Sequence, residues 1–202
     1  QKALFATSED FTNWTTPQLL GPAGDPPLPP EPRKHQVQPN LLNYHGRELW
    51  CMWLNQVSDP DQYGLYLSRL APGPGARWKH QKICGKYVVD GEGYAPWATQ
   101  NPYLCRSGRV LAPVTLSLSP NKAKLWNLCL YSDDDGKTWQ ASNPIGMPSD
   151  LGAQWEPFFH EQSDGRLRAF MRNATKSGAP RTVWRQTCVG TGSAKCEPVR
   201  LE

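Results

Sequence analysis

The sequence predicts an all-β fold built from a repeated four-stranded unit, and three observations lead to that prediction. Glycine and proline are abundant, at 17 and 20 of 202 residues, which suits short strands joined by turns. Nine tryptophans supply aromatic residues of the kind that strands favour. The third observation is an internal repeat, in which Gly-Arg pairs recur after 62 and then 57 residues. A helical bundle is therefore disfavoured.

Composition excludes several classes of protein. With 38% hydrophobic and 20% charged residues, the chain is neither a disordered tail nor a membrane protein. The net charge of +4 comes from lysines and arginines scattered among acids, so no nucleic-acid partner is expected. The first five residues lack the apolar core of a signal peptide, and we expect any targeting segment to have been removed.

The repeat contains two hairpins. The first begins at residues 38–47, 100–109 and 155–166, and each copy is predicted to form a strand, a turn with glycine at its tip, and a return strand. The second hairpin lies between these copies and ends in a tryptophan, at Trp14, Trp78 and Trp139. Each repeat thus holds four short antiparallel strands.

A unit of this size with four antiparallel strands is typical of a β-propeller blade. The predicted boundaries are a blade tail at 1–20 and blades at about 35–84, 97–145 and 154–202. The proline-rich segment Gly21–Lys34 is predicted to be an inter-blade loop. Closed propellers usually need four to eight blades. We therefore expect three to four blades of a six- or seven-bladed propeller, with the remaining blades supplied by the same precursor or by a second chain.

The six cysteines form no C-x-x-C pair and no zinc-ligand spacing, so disulfides or buried thiols remain, and disulfides are favoured. Cys188 and Cys196 are close enough in sequence to close one hairpin, whereas the pairing of the other four is open. Two glycosylation sequons begin at Asn13 and Asn173. Together these features predict a secreted protein.

One turn carries a specific motif, Ser132-x-Asp134-x-Gly136-x-Thr138-Trp139. It resembles the Asp-box of sialidases and other Asp-box (BNR-repeat) propellers. In such a turn the Ser and Asp side chains can bond backbone N–H groups, Gly takes a positive φ, and Trp packs under the hairpin. The resemblance implies a structural role on the propeller rim, which does not identify a substrate.

The segment from Glu156 to Arg172 resembles the sialidase segment that carries a glutamate, an Asp-Gly turn and an arginine. The resemblance implies that Glu156 activates a nucleophilic tyrosine and that Arg172 helps to clamp the substrate carboxylate. Arginine offers a planar fork to a carboxylate, and a glutamate beside a phenol can accept its proton. The alternative is a structural ion pair at the ends of two strands.

Polar residues open the innermost strand of each predicted blade, where they can point into the central channel. His35 is a candidate proton shuttle or a hydrogen-bonded structural residue. The candidates for binding sugar hydroxyls or sugar faces are Gln38, Gln100, Asn101 and Tyr103. The amides can instead satisfy backbone groups at the strand edge, and the tyrosine can instead fill the packing between blades.

These features predict a secreted, sialidase-like glycoside hydrolase that cleaves a terminal bond next to a carboxylate-bearing sugar. One alternative is a polysaccharide lyase acting on a uronate linkage, in which Arg172 neutralises the carboxylate and His35 or a tyrosine moves the C5 proton. Another is a glycan-binding lectin without a catalytic pair. None of these functions calls for a metal or another cofactor.

Overall fold

The computed structural model describes residues 4–6, 8, 10–19, 36–56, 60–71, 73, 76–89, 91–118, 125–142, 145, 153–174, 183–188 and 197–200. Every regular element within these ranges is a β-strand. No helix in the described part of the chain has the length and apolar character needed to cross a membrane.

The strands form one short ribbon and three larger antiparallel sheets. The ribbon pairs β1 (Leu4–Phe5) with β2 (Gln18–Leu19). The first sheet has the order β3 (Gln36–Tyr44), β4 (Glu48–Asn55), β5 (Gly64–Leu70), β6 (Lys79–Cys84). The second sheet contains β7 (Tyr87–Val89), β8 (Glu92–Thr99), β9 (Tyr103–Leu104), β10 (Val110–Leu118), β11 (Leu125–Ser132) and β12 (Gln140–Ala141). The third sheet has the order β13 (Ala153–Glu161), β14 (Leu167–Ala174), β15 (Val183–Cys188), β16 (Glu197–Arg200).

The first and third sheets each join four strands in sequence order, which is the connection expected of a blade. The second sheet departs from this plan because the β7–β8 hairpin adds an extra strand, so the sheet begins at Tyr87 rather than at 97. In that sheet β8 and β9 both pair with β10 and together act as its first strand.

The sheets are held together by apolar cores between their faces. Most residues of β4 and β10 are apolar, because the side chains of these strands are buried on both faces of the sheet. Between the first and second sheets lies a cluster that includes Trp50, Met52, Val114 and Leu128. Between the second and third sheets lies a smaller cluster that includes Cys105, Leu111, Phe159 and Met171. The three sheets therefore stack face to face, as propeller blades do.

The Asp-box turn forms the hydrogen bonds that its residues predict. The Ser132 hydroxyl donates to Asp134 Oδ1 at 2.8 Å and accepts the Gly136 N–H at 2.9 Å. The Thr138 N–H and hydroxyl both donate to the Asp134 carboxylate, at 2.9 and 2.6 Å. Gly136 has a φ of +73°, and the Trp139 Nε1–H donates to its carbonyl oxygen at 3.2 Å.

This turn also docks on the first sheet. The Tyr44 hydroxyl donates a short hydrogen bond to Asp135, and the Arg69 guanidinium donates to the Asp135 carbonyl oxygen at 3.2 Å. Burial, followed by the contact with Asp135, raises the pKa of Tyr44 to about 12. The Asp-box thus joins two neighbouring sheets at their outer edge, in addition to shaping its own hairpin.

Four cysteines in the described part are free and buried, which corrects the expectation of disulfides for Cys51, Cys84, Cys105 and Cys129. Burial raises the pKa of Cys51 to about 12 and that of Cys84 to about 11, so both remain protonated near neutral pH. They serve as apolar packing groups rather than as reactive thiols. The proposed Cys188–Cys196 bridge includes Cys196, which lies outside the described residues.

Acid should weaken the Asp-box. The hydrogen bonds from Thr138 and Ser132 lower the pKa of Asp134 from 3.8 to about 2. A lowered pKa in the folded state stabilises the fold above the unfolded pKa, near 4, and this contribution is lost as the pH falls towards 2. We therefore expect the stability difference between wild type and Asp134→Asn, measured by urea unfolding, to shrink between pH 4 and pH 2. A constant difference across that range would contradict the assignment.

Candidate functional site

The first strands of the three sheets lie next to one another, and each contains an irregularity at its X-Pro dipeptide. Strand β3 lies beside β8 and β9, and β8 lies beside β13. The Asn40 side-chain amide donates to the Thr99 carbonyl oxygen at 3.2 Å, which ties β3 directly to the end of β8. These strands therefore line the centre of the stack, where a propeller has its channel.

Each irregularity adds one residue to the innermost strand: it is a β-bulge within β3 and within β13, and in the second sheet it is the break between β8 and β9. Three residue steps from Val37 to Asn40 face two steps from Leu54 to Met52. Three steps also face two between Trp155 and Phe158. Between Thr99 and Tyr103, four steps face three on β10, which is again one extra residue. The extra residues accompany Gln38-Pro39, Asn101-Pro102 and Glu156-Pro157. The sequence repeat is thus also a repeat of these irregularities, and bulges commonly redirect side chains beside active sites.

The third bulge differs from the other two in its backbone. Glu156 has a φ of +57°, a left-handed conformation that neither Gln38 nor Asn101 adopts in the described backbone. A left-handed conformation costs a non-glycine residue about 1–3 kcal/mol, and a following proline restricts the backbone further. Such strain persists only where the surrounding structure fixes it. Residue 156 is therefore the most constrained of the three bulge positions.

A hydrogen-bonded pair from the second sheet holds this backbone. The Glu156 N–H donates to Thr115 Oγ1 at 3.2 Å. The Thr115 hydroxyl lies 2.7 Å from Asn127 Oδ1, to which it donates. Both supporting side chains are buried. Sequence analysis missed them, although a polar residue in the middle of each of two largely apolar strands was an available signal.

Register places the proposed partner Arg172 close to Glu156 along the sheet. Arg172 pairs with Trp155, the residue directly before Glu156, while Met171 faces the bulge. This closeness accords with a shared site, and the catalytic roles of both residues stay predictions. His35 lies outside the described residues, so its predicted role also stays a prediction.

The predicted sugar-binding residues have different environments. Asn101 is exposed and Gln100 partly exposed, and the Gln100 N–H donates to the Pro113 carbonyl oxygen at 3.4 Å. Gln38 lies in the first bulge, between Val37 and Asn40. Tyr103 packs against the core between the second and third sheets, and its hydroxyl accepts the Glu161 N–H at 3.3 Å. Tyr103 thus has the inter-sheet packing role given above as the alternative.

The residue types at these positions would offer a carboxylate, side-chain amides and an arginine. A carboxylate can act as a general base or polarise a nucleophile, and arginine can bind a substrate carboxylate through two hydrogen bonds. Within the described ranges, no cluster of three or more His, Cys, Asp or Glu side chains could hold a metal ion.

Stacked antiparallel sheets, an Asp-box turn and irregular inner strands together define a BNR-type β-propeller. The chain belongs to the BNR repeat-like domain family, whose match covers residues 3–199. A search of curated protein sequences gave no match.

Solved structures with this fold come from several organisms. A protein of unknown function from Dyadobacter fermentans has a TM-score of 0.68 at 21% identity, covering 98% of this chain and 58% of that one. The Trypanosoma rangeli sialidase bound to the inhibitor DANA has a TM-score of 0.62 at 14% identity, covering 94% and 31%. The α-L-arabinofuranosidase of Fusarium graminearum bound to arabinobiose has a TM-score of 0.60 at 19% identity, covering 85% and 50%.

These similarities confirm the predicted Asp-box propeller and its all-β class. The chain spans between about a third and three fifths of the length of these structures, with shares of 58%, 31% and 50%. It is therefore a partial propeller, with the fold that these three structures share.

Proposed function

We propose that this chain forms part of a glycoside hydrolase that removes a terminal, carboxylate-bearing sugar from a glycan. The observation that carries the proposal is Glu156, an acid held in a strained conformation in the inner strand of the third sheet. Strain of this kind concentrates at functional sites, where it fixes the direction of a side chain. Among the structures with a similar fold, one is a sialidase and another an arabinofuranosidase, which supports glycan cleavage as the reaction class.

Glu156 would act in proton transfer and Arg172 in substrate binding. Glu156 would withdraw a proton from the attacking group, because a carboxylate is a suitable base for a phenol or a water molecule in an enclosed site. Arg172 would bind the substrate carboxylate through two parallel hydrogen bonds, a geometry that lysine does not offer. His35, Gln38, Gln100 and Asn101 would contribute further polar contacts at the mouth of the channel.

The remaining blades would come from the same precursor or from a second chain. Phe158 is 50% exposed and stacks on Phe170, with ring centroids 5.0 Å apart. These two residues alternate with Phe159, Ala169 and Met171, which face the second sheet, so they lie on the opposite face. A further blade on that face would cover their rings and supply the remaining catalytic residues. The sequons at Asn13 and Asn173 support secretion as the location of this assembly.

The test uses the assembled propeller and a panel of fluorogenic glycosides that includes an α-sialoside, a β-glucuronide and an α-L-arabinofuranoside. We expect release of the fluorophore from the sialoside, which carries a carboxylate beside the scissile bond. Replacing Arg172 with lysine should lower kcat/KM on that substrate by the equivalent of about 2–4 kcal/mol, because the two-pronged contact is lost.

Other outcomes would replace the proposal. Absorbance near 235 nm in place of hydrolysed product would indicate a lyase that forms an unsaturated uronate. Glycan binding without any released product would indicate a lectin. An effect of Arg172→Lys below about 1 kcal/mol would assign that arginine to a surface ion pair.

A further inference from the structure

A buried polar pair lies between the second and third sheets, in surroundings that are otherwise apolar. Thr115 on β10 and Asn127 on β11 are directly opposite each other in register, and they are 0% and 2% exposed. Asn127 contacts Met171, which belongs to the apolar cluster between these two sheets. Buried polar side chains need hydrogen-bond partners, so the arrangement of this pair is tightly specified.

The donors and acceptors of the pair form one chain of hydrogen bonds that ends at the third bulge. The Glu156 N–H donates to Thr115 Oγ1 at 3.2 Å, and the Thr115 O–H donates to Asn127 Oδ1 at 2.7 Å. The Thr115 hydroxyl thus uses both its acceptor and its donor capacity. Valine has the same shape but offers neither.

Asn127 is itself fixed at several atoms. Its backbone carbonyl oxygen accepts the Ile145 N–H at 2.7 Å, and its side-chain Nδ2 donates to Met171 Sδ at 3.6 Å. Met171 is the β14 residue that faces the third bulge. Asn127 therefore contacts both the Thr115 hydroxyl, which holds Glu156, and β14, the strand that faces the third bulge.

From this geometry we infer that Thr115, oriented by Asn127, is a positioning residue that holds Glu156 in its left-handed conformation and so directs the Glu156 carboxylate. The inference rests on the proposed function, in which that carboxylate takes part in the reaction. The second sheet thus determines the geometry of a catalytic group on the third sheet. Glu156 both receives this support and adopts the left-handed conformation, which Gln38 and Asn101 do not adopt in the described backbone.

The test compares Thr115→Val with Thr115→Ser in the assembled propeller. Thr115→Val keeps the size of the side chain and removes the hydroxyl, whereas Thr115→Ser keeps the hydroxyl. Hydrogen exchange of the Glu156 amide, followed by mass spectrometry of the 153–161 segment, reports on the bond without requiring activity. We expect exchange to be roughly tenfold faster in Thr115→Val and unchanged in Thr115→Ser, as for loss of one ordinary hydrogen bond.

Kinetics on the fluorogenic sialoside give the second readout. We expect Thr115→Val to lower kcat by about 10- to 100-fold with little change in KM, because a displaced catalytic group loses rate rather than affinity. Thr115→Ser should restore kcat. Asn127→Leu should resemble Thr115→Val in both readouts, since it removes the group that orients the hydroxyl.

The two readouts separate this inference from the proposed function. An assembled wild type that does not hydrolyse the panel, combined with the expected exchange pattern, would refute the glycosidase and support Thr115 as the residue that holds the bulge. Unchanged exchange at Glu156 in Thr115→Val would overturn the inference, whatever the activity. Equal losses of kcat in Thr115→Val and Thr115→Ser would also overturn it, because the loss would then not depend on the Thr115 hydroxyl.

Discussion

Replacing Gly136 with alanine should lower the free energy of unfolding by about 2–5 kcal/mol. Two physical effects add at this position. Gly136 has a φ of +73°, which costs a residue with a Cβ atom about 1–2 kcal/mol. A Cβ there would also lie 2.8 Å from a ring carbon of Trp50 and 3.3 Å from Leu67. Trp50 is fully buried and stacked on Tyr44 at 4.0 Å, so the ring has little room to move.

Gly165 supplies the matched control for this substitution. It also lies at a hairpin turn, with a φ of +82°, but a Cβ there would meet nothing within 4 Å. Gly165→Ala should therefore show only the backbone cost of about 1–2 kcal/mol. Urea unfolding of both variants separates the two effects. Equal losses would mean that the Asp-box does not pack on Trp50 as described.

Replacing Glu156 with glutamine should lower turnover by about 100-fold or more, the range typical of a lost general acid or base. Glutamine keeps the shape of the side chain and the left-handed backbone, so the strain in the bulge stays the same. What disappears is the negative charge that accepts or withdraws a proton. Thermal stability should therefore change far less than turnover.

Much of the fold could be predicted from the sequence because its determinants are local. Ser132, Asp134 and Gly136 form a turn whose hydrogen bonds span at most four residues, and turn chemistry of this kind is readable in one sequence. The repeat also aligned the three X-Pro dipeptides, but the extra residue that the structure shows at each of them was not predicted. The extra β7–β8 hairpin was missed because its strand at Tyr87–Val89 is only three residues long.

The site was predicted less completely because its support is long-range. The Glu156–Thr115 and Tyr44–Asp135 contacts join residues 41 and 91 positions apart, and they depend on how neighbouring sheets stack. No local pattern encodes that stacking. The left-handed backbone of Glu156 was equally hidden, since glutamate before proline gives no signal of a positive φ. Tyr103 shows the same limit, because only the stacking directs its hydroxyl to Glu161.

The central claim is that the Glu156 carboxylate is the catalytic base of this propeller, and one comparison tests it most directly. Glu161 lies on the same strand but serves the fold: its carboxylate accepts the Arg106 N–H at 2.8 Å and lies 3.4 Å from the Arg106 guanidinium. The measurement is kcat/KM on the hydrolysed glycoside for Glu156→Gln and for Glu161→Gln, each in the assembled propeller. We predict a loss of about 100-fold or more for Glu156→Gln and a near wild-type value for Glu161→Gln. Full activity in Glu156→Gln would contradict the claim and place the chemistry elsewhere in the channel, around His35 and Gln100.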